Sequence, residues 1–503
     1  CVRVPVCAFL CARSCVRVWC MLPRLRGGLR LRPWHWRGAA VRLAGLEARG
    51  FATNVGDKAG ADYVYQELDF DDPKLSYGVQ STWAIARALL VFKVCSNKWL
   101  VENSESLLKR STALFGESLV MAVIRPTFFS HFCAGESEAD MQPRIDYLQS
   151  FGIGSILDYA AEADIDEEDD DNNKRTVADV DVSKSEVHSA RQYTYESEQQ
   201  CDANAAIFAD AITAVHNVSP EGFSALKITA LCNPLLLERW STALTEIRNL
   251  FTSLDHDGDG LLTFEEFREG WIANFKSSEE EIKSRFDQFD ESGSGKISAI
   301  EWTTVLRARE TRQLAKECLE EGPFTKASLS EEEVELMERM DERVHNLAAL
   351  ADTLGVRLLV DAEHTYFQPA IDNICLKLQR KFNINGKDRV YNTYQCYLKD
   401  SSQKVDEYIQ RSEYEGWEFA AKIVRGAYMH LERDRAAALG YPSPIHDTLQ
   451  DTHDEYNRVI RRIIERDSVR NQQSNVNLVV ASHNQESVEQ TIRVMEQNKI
   501  SKN

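Results

Sequence analysis

Five short apolar runs, separated by sequence of helical spacing, constrain the fold more than any other feature of this 503-residue chain. They occupy residues 225–231, 357–363, 390–398, 421–428 and 477–484. An apolar run of strand length is buried on both faces, and helices between such strands make neighbours parallel. The pattern is therefore α/β. Polar residues sit in or at the ends of the runs: Lys227, Asp361, Gln395, Arg425 and His483. In an α/β barrel the carboxyl ends of the strands form the site, so these side chains are expected to converge on one mouth. A salt bridge or loop contact would explain any one of them; five runs ending alike point to a site.

Residues 78–161 read as helix-rich, with Trp83, Ala86, Leu90, Val91 and Val94 at helical spacing. Gly152-Ile153-Gly154 lacks the third glycine and the βαβ frame of a Rossmann fingerprint, so any dinucleotide must bind in another way. Eight of the ten residues 162–171 are acidic, and polar sequence follows to about residue 200. Such a stretch buries too little to order itself and reads as a solvated linker.

The formal charge is -20, yet residues 1–50 hold ten Arg, no Lys and one acid, Glu47. The body is thus more acidic than the whole and is repelled by phosphate backbones, which excludes nucleic acid as a partner. No stretch approaches the roughly 18 uninterrupted apolar residues of a membrane-spanning helix. Seven cysteines beyond residue 20 are scattered without CxxC spacing, which argues against zinc ribbons and for a reducing compartment. The Arg-rich, acid-poor start (Arg24, Arg26, Arg30, Arg32, Arg37, Arg42) has the composition of a mitochondrial presequence. Arg13 and Arg17 interrupt the apolar sequence that a secretory signal would need. The first residue is Cys1, so an incomplete or over-extended start is expected, with Met21 as the initiator.

After the first run, residues 240–315 carry Asp255-His256-Asp257-Gly258-Asp259-Gly260 and then Glu266. This is the twelve-residue calcium loop of an EF-hand: Asp255, Asp257 and Asp259 supply oxygens at positions 1, 3 and 5, and Gly260 permits the sharp turn. The Leu261 carbonyl falls at position 7, and Glu266 closes the shell bidentately. Leu244, Ile247 and Phe251 before the loop, and Phe264, Phe267 and Trp271 after it, supply two helices that pack together. A second loop, Asp290, Ser292, Ser294, Gly295 and Glu301, has two carboxylates against four and is expected to be weak or structural.

The catalytic half resembles the proline dehydrogenase family, in particular the mitochondrial eukaryotic enzymes with an EF-hand insertion. The resemblance is carried by Leu358-Leu359-Val360-Asp361-Ala362-Glu363, Asn392-Thr393-Tyr394-Gln395-Cys396-Tyr397-Leu398, Lys422-Ile423-Val424-Arg425-Gly426-Ala427-Tyr428 and Ala481-Ser482-His483-Asn484. It implies a distorted (βα)8 TIM-like barrel holding FAD non-covalently, and oxidation of L-proline to 1-pyrroline-5-carboxylate. Electrons would pass to a quinone from the mitochondrial matrix side, through peripheral inner-membrane contact. By motif, Lys227 and Asp361 look like the pair that organises the proline pocket, with Tyr428 beside them, and Gln395 like a flavin-ring contact. Lys422 matches the position beside flavin N5, where bacterial relatives tend to carry Arg; the cation is kept without its bidentate fork. Val424, Gly426 and Tyr428 look like a flavin cradle, and Thr452, His483 and Asn484 like contacts to the ribityl and phosphate portion.

The expected organisation is a targeting region at 1–53, a helical region at 54–161 and an acidic linker at 162–200. A barrel follows at 201–503, interrupted by the EF-hand pair at 240–315. Residues 224–503 without that insertion fall short of the roughly 250 of such a barrel, and only five strands are legible. The family's last strands, and its final helix with adjacent arginines for the substrate carboxylate, have no counterpart here. The chain is therefore expected to be a C-terminally truncated, aggregation-prone part of a complete enzyme. Two alternatives stay open: a hydroxyproline-oxidising enzyme, and a calcium-binding protein on a non-catalytic barrel.

Overall fold

The computed structural model describes residues 16–21, 80–159 apart from 136 and 151–152, and 197–498 apart from 220–221, 305–306 and 470–475, with Pro73, Tyr77, Gly78 and Tyr195. Most of the predicted targeting region, and the acidic part of the predicted linker, lie outside the described residues. Two units are present, one built on residues 24–131 and the other on 132–501 with the first 23 residues.

The described part of the smaller unit is helical: Thr82–Cys95, Lys98–Glu102, Ser104–Phe115 and Glu117–Ile124, closed by a π-helical turn at Arg125–Phe129. The Ser81 hydroxyl accepts from Ala84 N, and the Asn97 side chain accepts from Leu100 N; each satisfies a donor left open at a helix start.

The larger unit holds six parallel strands, numbered here β1 Gly154–Tyr159, β2 Phe223–Leu226, β3 Arg357–Val360, β4 Val390–Gln395, β5 Phe419–Val424 and β6 Val476–Val480. They pair in sequence order, β1-β2-β3-β4-β5-β6, and the sheet curls into a half-barrel. An antiparallel strand, Val16–Met21, flanks β1. Helices follow the strands and cover the outer face. Local signals set their limits: Ser330 and Glu333 form a capping box at the start of Glu331–Leu354, and Gly355, at φ +75°, turns that helix sharply into β3.

Alternation along each strand separates two layers. Ile156, Leu359, Tyr391, Ala420 and Val479 pack together inside the curl, with Phe223 against them. Ile423, Ala421, Tyr394 and Cys396 face the outer helices with Tyr456, Val459 and Ile463. Two residues further along from Leu359, Tyr391 and Ala420, on the same inner face, stand Asp361, Thr393 and Lys422. The inner wall thus changes from apolar to polar at the carboxyl end.

Three expectations are corrected. Six parallel strands are described rather than five, because β1 falls where a helical region was expected. With the helix Glu138–Gln149 it belongs to the barrel unit. The insertion has no clean start at 240, since one helix, Pro234–Leu254, runs from the barrel into the first loop. Its barrel half packs through Ser241, whose hydroxyl donates to Phe367 O at 3.0 Å and accepts from Ala370 N at 3.1 Å.

Within the insertion, two helix–loop–helix units meet through a short antiparallel pair, Leu261–Thr263 with Lys296–Ser298. Phe267, Trp271, Phe286, Phe289 and Trp302 fill the space between them and join the same apolar cluster as Leu226, Leu358 and Val360 of the barrel.

Candidate active site

The mouth forms where the inner face turns polar. Asp361 extends the β2–β3 ladder through its amide, which donates to Leu226 O at 2.9 Å. Its carboxylate makes an ion pair with Lys422 of β5, reaching past β4; both side chains are only 15% exposed. Between them the Thr393 hydroxyl donates to Val360 O at 2.7 Å. Gln395 is buried and its Nε2 donates to Glu363 O at 2.8 Å. A carbonyl only accepts, so this bond fixes which way the amide faces. Lys227, at the end of β2, is 5% exposed and acts on Glu363 electrostatically. Lys227, Asp361, Gln395 and Lys422 thus gather at one end of the sheet, where Asp361 makes an ion pair with Lys422.

Beyond β5 the backbone passes close to a ring. Gly426 has φ +135°, and a Cβ there would lie 2.5 Å from the Tyr397 ring, so only glycine fits. Val424, half-buried, precedes it on the inner face. Tyr428 then sets its ring 4.1 Å from that of His364, which also stacks with Tyr366 at 5.0 Å. His364 is buried, with Nδ1 3.4 Å from the fully buried Glu432 carboxylate. Burial works to raise the Glu432 carboxyl, but the adjacent His364 ring and bonds from the amide and hydroxyl of Thr365 outweigh it and hold the group below its ordinary value.

Arg425 departs from expectation. It follows Val424, so alternation turns it to the outer face. Its guanidinium donates to His453 Nδ1 at 2.8 Å and to Ser482 Oγ and Ser487 Oγ at 2.7 Å each, and lies 4.1 Å over the Tyr456 ring. It braces the helices Leu449–Val469 and Gln485–Gln497 against the sheet instead of entering the mouth. Asn484 caps the second of these, accepting from Ser487 N at 3.0 Å, and lines an open cleft of about 270 Å³ with His453, Asn457 and Arg461. Thr452 is buried on the first helix and His483 is exposed beyond β6.

In the insertion, side-chain oxygens of Asp255, Asp257 and Asp259 lie within 4.8 Å of one another. Gly260 N donates to Asp255 Oδ2 at 2.9 Å and Leu261 N to Asp259 Oδ1 at 2.8 Å, while Glu266 accepts from His256 N at 3.3 Å across the loop. Gly260 and Gly295 share φ +79°, so the two loops turn alike at their sixth position. Lys296 of the second loop donates to Asp259 Oδ2 at 3.1 Å.

Sequence reading passed over Glu363, His364, Thr229 and Glu432. The first two were visible in principle: they stand two and three residues after Asp361, beyond a strand end, where site residues gather.

A parallel half-barrel whose carboxyl-end mouth holds buried cations, a carboxylate and an oriented amide defines an α/β-barrel enzyme. The chain belongs to the proline dehydrogenase family, an oxidoreductase family of flavoenzymes: the proline dehydrogenase family model matches residues 141–503. It is 34% identical to proline dehydrogenase 1, mitochondrial, of Caenorhabditis elegans, covering 89% of this chain and 79% of that one. The human protein of the same name is also 34% identical, covering 86% of this chain and 77% of its own. Hydroxyproline dehydrogenase of Rattus norvegicus is 27% identical, covering 86% of this chain and 78% of that one. The donor set suits a flavin: a buried lysine and an oriented amide for its ring edge, and at Gly426 a stretch without a side chain.

Proposed function

We propose that this chain oxidises L-proline to 1-pyrroline-5-carboxylate with FAD as the hydride acceptor, and that electrons continue to a membrane quinone. The carrying observation is the Asp361–Lys422 ion pair, set beside Lys227 and Gln395 at the carboxyl ends of parallel strands in a member of this family.

When bound, FAD takes up the hydride. The C5–H bond of proline breaks with its electron pair, and the ring nitrogen gives up a proton as the C=N bond forms. Lys227 and Asp361 orient the substrate, with Tyr428 beside it. Lys422 places positive charge where negative charge develops, in a water-poor mouth where that charge acts strongly. Lys422, Gln395, Val424 and Gly426 hold the ring portion, and Thr452, His483 and Asn484 the ribityl and phosphate portion. The residues' task is to bring C5 and the acceptor together; no side-chain nucleophile is required.

Proline is favoured over hydroxyproline as substrate because the proline dehydrogenases of worm and human are 34% identical to this chain and the rat hydroxyproline enzyme 27%. The names of those relatives and the Arg-rich first 50 residues support a mitochondrial address, on the matrix side with peripheral inner-membrane contact. No described helix is long and apolar enough to cross a membrane. The loop of Asp255, Asp257, Asp259, Leu261 and Glu266 takes Ca2+, as its EF-hand spacing requires.

The test is anaerobic addition of L-proline to the purified, FAD-loaded protein. Loss of the oxidised flavin absorbance, faster with proline than with hydroxyproline, is expected; an unchanged spectrum sinks the reading.

A further inference from the structure

Glu363 stands two residues beyond Asp361 on the loop leaving β3, and three separate ties fix it. Its carboxylate accepts from Thr229 N at 3.2 Å and from Thr229 Oγ1 at 2.6 Å. Its amide donates to Gln368 Oε1 at 3.0 Å, and Gln368 Nε2 donates in turn to Asp372 Oδ1 at 2.8 Å. Its carbonyl accepts the Gln395 amide at 2.8 Å. Thr229 belongs to the turn Ile228–Ala230 that begins directly after Lys227. One residue of β3's exit loop therefore holds the exits of β2 and β4.

The side chain is 5% exposed, and burial pushes its carboxyl above the ordinary value, against the pull of Lys227 and of the two Thr229 bonds. A carboxylate in such a place is unfavourable unless it is hydrogen-bonded and opposed by a positive charge; Thr229 supplies the bonds, and Lys227, directly before the Thr229 turn, supplies the charge. Apolar packing at this position would leave Lys227 without that opposing charge.

We infer that Glu363 is a positioning residue for the reaction: its carboxylate orients the Lys227 ammonium toward the substrate, and its backbone carbonyl sets the amide of Gln395. The inference rests on the proline-oxidising reading and adds a division of labour to it. The charge of Glu363 serves substrate affinity through Lys227. Its backbone serves the flavin side through Gln395, and that part survives a change of side chain.

The experiment compares the full-length, FAD-loaded wild type with Glu363→Gln, Thr229→Ser and Thr229→Val. Glu363→Gln is expected to raise the KM for proline by about tenfold or more while kcat stays within about threefold, the signature of lost binding rather than lost transition-state contact. A non-oxidisable five-membered-ring carboxylate, followed by its perturbation of the flavin spectrum, should lose affinity by the same factor. The ligand-free flavin spectrum should not move. Thr229→Ser keeps both donors and should match wild type. An unchanged KM and analogue affinity in flavin-loaded Glu363→Gln overturns the inference, and so does a shifted or lost flavin with KM intact. Should Glu363→Gln not fold, the KM rise in Thr229→Val and its absence in Thr229→Ser carry the test, and a wild-type KM in Thr229→Val overturns it. A wild type that proline fails to reduce sinks the functional reading itself, which is a separate outcome.

Discussion

Removing one charge from the Asp361–Lys422 pair leaves the other in a site where each side chain is only 15% exposed. Fully buried pairs broken in this way cost about 3–5 kcal/mol, and a partly exposed pair should cost about 1–3 kcal/mol. Asp361→Asn is therefore expected to lower the unfolding free energy measured by urea titration by that amount and to slow flavin reduction by about 100-fold or more. Asp361→Asn with Lys422→Met should recover part of the stability without recovering rate, because neither member of the pair is left charged without the other. Additive stability losses in the double variant would show that the pair is not coupled. Neither partner is visible from the other in the sequence, since 61 residues separate them and only the sheet brings them together. The polar ends were legible as a set. Arg425 shows the limit: its neighbour Val424 faces inward, so the period of two sends the arginine to the helices.

At the scale of elements, β2 to β6 were legible because each is an apolar run of strand length. β1 was not, since it buries Ser155 and Asp158 at 3% each and so lacks the apolar signature. The loop proposed to take calcium stood out in the sequence because its spacing is local: six positions in twelve residues define the pattern. What the spacing could not reveal is the attachment. Arg411, on the barrel helix Ser401–Glu415, donates to Ile300 O and Thr303 Oγ1 at 2.9 Å each, gripping the helix Ala299–Thr304 of the insertion. Burial lowers its pKa, yet Glu415 at 2.9 Å supports the charge. Calcium at about 100 times its dissociation constant should add about 2.7 kcal/mol to the folded protein. The check is thermal unfolding of the whole chain with calcium and with a chelator. Asp255→Asn should remove the difference, and Lys296→Gln should enlarge it by releasing Asp259 from the 3.1 Å bond. Identical melting with and without calcium would mean that the loop is metal-free.

For the molecule as a whole, the question is whether the insertion is a passenger or part of the barrel unit. Among the described residues one apolar cluster runs from Leu226 and Val360 through Leu237, Trp240 and Phe251 to Phe267, Trp271 and Trp302. The helix Pro234–Leu254 carries this cluster from one region to the other without a break. Trp302 is central: it is 2% exposed, stacks on Phe289 at 4.8 Å and donates from Nε1 to Ile247 O at 2.9 Å. Trp302→Ala leaves a large cavity and removes the bond to Ile247 O, and should cost about 3–5 kcal/mol. Because the cavity opens in a shared core, the loss should appear as one cooperative transition in calorimetry, shifted as a unit and accompanied by earlier flavin release on heating. A passenger domain would behave otherwise. It would melt first and alone, with flavin absorbance and the main transition left at their wild-type positions, and that pattern would separate the insertion from the enzyme's stability.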